Sequence, residues 1–296
     1  MNGPFLINYL IFSAFLLLVL YDNSVVIYSI LNYKKYKEKI KKYFLPIWEV
    51  LGTFGVFYVV NTEATFPLAI PLISSVFIIP ILIAGLLFLL RNYFFSNFEN
   101  KSSEESKYLF IITSLILWFL VFSLLANVSN GYGINLLTKS INWFKWFTNP
   151  LLYVLLIVGF VSSLFIGNII FSEKKNLILF ILYILIFSSL LAFLRLNYNF
   201  FTINLYLIYI YAAIVVLFLI FMFVKSKFVT LISLVLVFLS IFIVSSSFYP
   251  YILGRIDMIE FLGNSQISYY VFLITLVGGI FISVSILYLV LSTMKY

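Results

Sequence analysis

The chain has no cysteine and no histidine among its 296 residues. Without cysteine there can be no disulfide and no thiolate metal site. Charge is scarce as well: Asp, Glu, Lys and Arg together make up 9% of the residues, against 64% hydrophobic, with a mean hydropathy of +1.17. An average soluble domain is nearer half apolar and a quarter charged, so a soluble globular fold is excluded. No gap between the apolar runs is long enough to hold an appended soluble domain, and no internal repeat is evident. The opening stretch "MNGPFLINYLIFSAFLLLVLYDN" has no basic leader and no small-residue cleavage site. It reads as a retained first span rather than a signal peptide.

Apolar runs of about twenty residues recur along the whole chain, the pattern of an all-α integral membrane protein. A membrane barrel would instead show short alternating segments. The runs predict about nine transmembrane helices in a single polytopic domain spanning 1–296, at roughly 5–31, 43–60, 66–90, 108–126, 150–171, 177–196, 201–224, 228–244 and 269–291. The formal charge of +8 is concentrated between spans, most densely in "NYKKYKEKIKKY" from Asn32 to Tyr43. That placement follows the positive-inside rule and argues against nucleic acid as a partner. With the N-terminus outside and the C-terminus cytoplasmic, 14 of the 18 basic residues fall on the inner side. Lys139, Lys145, Arg195 and Arg255 stay outside. The chain is therefore expected to be a multi-pass protein of the cell membrane, its 35 Phe and 22 Tyr facing lipid or the interface. The two longest outer loops, 127–148 and 245–266, are expected to form interfacial half-helices.

A few charges fall inside or close to these spans. Asp22 lies about nine residues from the inner end of the first span and Glu49 about six from the inner end of the second. At 1.5 Å per residue both sit roughly 9–13 Å below the cytoplasmic boundary. An intramembrane carboxylate is costly and is by default a functional candidate, suited to taking up and passing on protons. The alternative for Glu49 is a hydrated vestibule, and for Asp22 a bridge to a loop lysine such as Lys34. Glu63 reads as solvated at the outer surface. Arg91, closing the third span, reads as a positive-inside anchor. Pro67, Pro71 and Pro80 mark the third span for kinking.

One pattern is more specific. Trp48-Glu49 is followed eighteen residues later by Phe66-Pro67, with Ser75 eight residues and Arg91 twenty-four residues beyond that proline. This resembles subunit II of the cytochrome bd-type quinol oxidases. That family opens its second helix with W-D-G-N-x-V-W and continues with an aromatic-Pro pair, a Ser and a helix-ending Arg at similar spacings. Its first helix carries D-G-x-D-x-G, which Asp22 in "LYDNSVV" can represent, and its span count is nine. The resemblance covers about 75 residues from Asp22 to Phe94. The family aspartate is Glu49 here, and the residues after it read "VLGTF", departures that suggest a distant, archaeal-type branch.

The resemblance implies a haem-free partner subunit of a membrane quinol:O2 oxidoreductase. Haem b and haem d would sit on a haem-bearing subunit I, the quinol would be the substrate, and small accessory subunits are allowed. A chain without His or Cys lacks the usual axial ligands of haem iron, and Met222, Met258 and Met294 do not stand out as ligands. On this reading no catalytic residue and no metal site lies on the chain. Glu49 would take protons from the cytoplasm, with Asp22 as its neighbour in the path. Ser75 and Arg91 would line the interior beside the second helix, Arg91 close to Glu49. One bundle face would pack on subunit I. Two other readings fit the composition: a proton-coupled secondary transporter and a quinone-binding membrane anchor of another respiratory complex. Against the transporter, no matched pair of Gly/Pro-broken spans occurs in two halves.

Overall fold

The computed structural model describes residues 3–67, 69–101, 104–172, 176–223, 228–254 and 256–261, together with 270, 273, 274, 277–279 and 281; for residues 3, 4, 32, 34, 39, 41–49, 69, 70, 99–101, 223 and 261 it describes the backbone alone. Among the described residues the fold is carried by eight α-helices: α1 (Gly3–Thr65), α2 (Ala69–Lys101), α3 (Glu104–Asn130), α4 (Trp143–Phe147), α5 (Pro150–Phe171), α6 (Leu177–Asn197), α7 (Leu205–Phe223) and α8 (Val229–Ser246). Seven of the described helical segments are long and apolar enough to cross a bilayer, so the chain is a multi-pass helical membrane protein. The expected span at 43–60 lies within α1. The one at 269–291 falls largely outside the described residues.

The 63 residues of α1 would reach about 95 Å if straight. They do not, because the two ends touch. The Asn8 amide donates to the Thr62 hydroxyl at 3.1 Å. The Phe5 and Phe66 rings lie 4.9 Å apart, and those of Phe12 and Tyr58 5.3 Å. Leu18 and Val19 pack on Leu51 and Phe54. The midpoint of each close pair falls near residue 35, so α1 doubles back as two antiparallel arms with its reversal in the lysine-rich stretch. Helical backbone continues through that stretch, where six lysines between Lys34 and Lys42 had suggested an irregular loop.

The first arm of α1 and helix α5 form the centre, with 61% and 56% of their membrane windows buried; α2 and α7, at 17% and 11%, are peripheral. The α1–α5 contact is close because Gly167 has no side chain: a Cβ there would come within 2.4 Å of the Tyr28 ring. Phe165, Phe180, Tyr183 and Phe218 interleave beside it, with ring centroids 4.3–5.9 Å apart. Helix α2 lies on α3, while α8 packs on α1 and α7.

The end of the bundle opposite the lysine-rich reversal differs from the expected half-helices. Two small antiparallel hairpins occupy it, β1 (Ile134–Asn135) with β2 (Ser140–Ile141) and β3 (Tyr251–Ile252) with β4 (Ile256–Asp257). Among the described residues of these two loops, the helical pieces are the single turn of α4 and a 3-10 turn at Met258–Phe261. The second hairpin docks on the end of α3 through Leu253 N–H to Val128 O at 2.7 Å and Gly254 N–H to Ser129 O at 3.1 Å. Gly254 has φ +75, and a Cβ on it would sit 2.5 Å from Asn130 O. A helix could not make this approach, because its backbone donors are already used within the helix.

Candidate functional site

Helix α2 runs parallel to the first arm of α1, and the alignment brings two opposite charges together inside the bundle. Arg91 Nη2 donates to Asp22 Oδ1 at 2.6 Å. Arg91 is 1% exposed and Asp22 6%. Arg91 Nε donates to the Ser114 hydroxyl of α3 at 2.9 Å. Ser114 in turn donates to Phe110 O at 2.6 Å. The guanidinium carbon lies 5.5 Å from the centroid of the Phe110 ring, in the range of a cation–π contact. One cation thus ties α1, α2 and α3 together.

This overturns the reading of Arg91 as a membrane-surface anchor. Helix α2 extends to Lys101, ten residues past Arg91 and past the expected span end at Leu90, which sets Arg91 about 15 Å inside the helix terminus. The reading of Asp22 as a bridge to a loop lysine gives way with it, since Asp22 meets an intramembrane arginine. Charged groups at such depth pair or face the bundle interior, and these do both.

The remaining expected residues are less concentrated. Glu49 and Trp48 belong to the helical backbone of α1, and their side chains lie outside the described residues. The pairing of the two arms puts backbone position 49 level with Tyr21 and Asp22. Phe66 is buried against Phe5 at the opposite end, where its N–H bonds Thr62 O at 2.8 Å and closes α1. Pro67 is exposed in the turn that follows. Ser75 donates to Leu72 O of its own helix at 2.8 Å. It precedes Arg91 by sixteen residues along α2, roughly 24 Å, so the two do not share a site. Glu63 is exposed, as its reading as a solvated residue requires.

Ser114 was not singled out by sequence, nor were Asn23 and Asn92, which follow the two charged residues and are buried beside them. An isolated serine in an apolar helix gives no signal until its partner is seen. The described methionines Met222 and Met258 pack among apolar side chains. Among the described residues no group of three or more His, Cys, Asp or Glu could hold a metal ion.

A second polar cluster lies at the hairpin end. Asn149 caps α5 by accepting from Leu151 N–H at 3.1 Å, and its amide donates to Asn127 Oδ1 at 3.0 Å and Asn130 Oδ1 at 3.2 Å. Asn130 also donates to the Tyr198 hydroxyl at 3.0 Å. Burial pushes that phenol's pKa up, and the hydrogen bond from Asn130 partly opposes the shift. These groups satisfy one another and serve to fix the loops. An apolar cavity of about 110 Å³ opens between α1, α3, α5, α6 and α8, with the bonded Tyr183 and Ser240 hydroxyls on its wall.

No protein-family model matches the chain, and no curated protein matches it. Its fold, however, has a solved counterpart. With the membrane class set by the helices and a buried ion pair at its centre, the chain superposes on a chain of the bd oxidase from Geobacillus thermodenitrificans with a TM-score of 0.76. The match covers 97% of this chain and 96% of that one, at 18% identity. The chain therefore shares its fold with that bd oxidase chain over nearly its whole length.

Proposed function

We propose that this chain is the haem-free partner subunit of a bd-type quinol oxidase in the cell membrane. It would complete the membrane core and help conduct cytoplasmic protons toward an oxygen site on the partner. The observation that carries the reading is the Asp22–Arg91 pair, buried inside a fold shared with a bd oxidase chain over nearly its whole length. The sequence adds that neither His nor Cys is available to ligate haem iron. The exposed apolar faces of α2 and of the second arm of α1, including Ile79, Leu82, Leu86, Val56 and Val60, require lipid or a partner chain.

The proposed path enters at Glu49 on the second arm and continues by Asp22 on the first. Arg91 positions Asp22 and is itself held by Ser114. The cytoplasmic side is the lysine-rich end, by the positive-inside rule. Carboxylates inside a membrane bundle are the groups from which proton relays are built. Replacing Glu49 with Gln keeps shape and hydrogen bonding and removes the titratable proton. Glu49→Gln is expected to slow oxygen consumption by the purified complex at least about tenfold, with the haem spectrum unchanged. Glu49→Asp should retain most activity. Wild-type turnover by Glu49→Gln across a range of about pH 5 to 8 would leave Glu49 as a hydrated helix position.

A further inference from the structure

Where α1, α3, α5, α6 and α8 come together, the bundle is not filled. The cavity of about 110 Å³ there is walled mainly by Leu, Val, Ile and Phe side chains, and no charged residue is among its described wall residues. Two contacts at the wall keep it open. The Tyr183 hydroxyl bonds the Ser240 hydroxyl, so the length of a tyrosine stands between α6 and α8 where they border the cavity. The Phe122 ring of α3 lies against α5 at Gly159, where a Cβ would come within 2.4 Å of it. Protein interiors are otherwise close-packed, with few voids larger than a water molecule. Atoms facing a void lose the dispersion contacts that a guest would restore.

The wall decides what can enter. Ser129 donates to Leu125 O at 2.7 Å, Ser240 to Leu236 O at 2.9 Å and Ser245 to Phe242 O at 3.3 Å. With its own proton given to Leu236, Ser240 accepts from Tyr183. Four of the five wall hydroxyls thus have their donors committed, and Ser162 is the fifth. An internal water needs two to four polar partners. A charged or strongly hydrogen-bonding guest would give up its hydration without replacement. An apolar guest has no such cost: a cavity of roughly 150 Å³ lined by Leu, Ile and Phe stays dry and takes up xenon or benzene.

We infer that this cavity is a binding site for one small apolar molecule, the class that contains dioxygen and xenon. The binding follows from the wall alone. Dioxygen as the guest in the membrane rests on the oxidase reading above.

Xenon is the probe, applied under pressure to crystals of the chain as purified from its native membrane with any subunit that accompanies it. The anomalous map should show a xenon peak in the cavity, in contact with Gly159 and Val244 of its wall. Val244→Phe, which places a ring in the cavity, should abolish that peak. Should Val244→Phe not assemble, Leu155→Ala enlarges the same cavity and should raise the xenon occupancy. A wild-type cavity without xenon overturns the inference. So does an ordered water or a hydrocarbon chain filling the cavity before xenon is applied, and so does a peak undiminished by Val244→Phe. Xenon bound in a preparation that has no haem would uphold the site and remove dioxygen as its guest together with the oxidase reading, so the two ideas fail separately.

Discussion

Cutting Arg91 back to an apolar side chain should expose how much the three-helix junction depends on one cation. Arg91→Met keeps an unbranched side chain but leaves the Asp22 carboxylate, 6% exposed, without its guanidinium partner. Removing one member of a buried pair typically costs about 3–5 kcal/mol, most of it the penalty of the stranded charge. The lost Nε bond to Ser114 adds about 1 kcal/mol. Asp22→Asn in the same background removes the stranded charge. The double variant should therefore be more stable than the sum of the two single changes by about 2 kcal/mol or more. Unfolding of all four proteins under identical lipid conditions measures this coupling. Additivity within about 0.5 kcal/mol would mean the two groups are hydrated separately, and the ion pair would not organise the site.

Two further perturbations probe the scaffold. Gly167→Ala should destabilise the chain by about 1–3 kcal/mol despite alanine's higher helix propensity, because its Cβ meets the Tyr28 ring at 2.4 Å; a stabilised variant in a thermal melt would show that α1 and α5 can separate without cost. Asn149→Ala loses the cap of α5 and two bonds to Asn127 and Asn130, and should cost about 2 kcal/mol or more; an unchanged unfolding midpoint would remove this cluster from the structural account.

Much of the architecture is legible in the sequence, and the limits of that legibility are physical. Apolar runs of span length need no tertiary information, because a bilayer demands that every backbone group be satisfied within its own helix. Helix starts are also visible where a polar cap precedes the run, as Asn149 does before Pro150 and Asn176 before Leu177. The course of α1 through its lysines was not legible, since charge composition places a segment at the membrane surface without stating its backbone conformation. The hairpins at the opposite end were missed because two-residue strands carry no periodic signal. Arg91 illustrates the main ambiguity: the same residue near the end of an apolar run can be an anchor or a buried ligand. Only the extension of α2 to Lys101 and the presence of Asp22 and Ser114 decide between them. Asp22 was readable as costly and therefore purposeful, but its partner lies 69 residues away.

Purification of the chain from its native membrane, with an optical spectrum of whatever accompanies it, tests the central claim most directly. The account predicts a stoichiometric partner of similar size whose haems absorb in the visible region, and no haem band from this chain once the two are separated. A homogeneous preparation of this chain with no haem-bearing partner, or a haem band that stays with it after separation, would contradict the assignment.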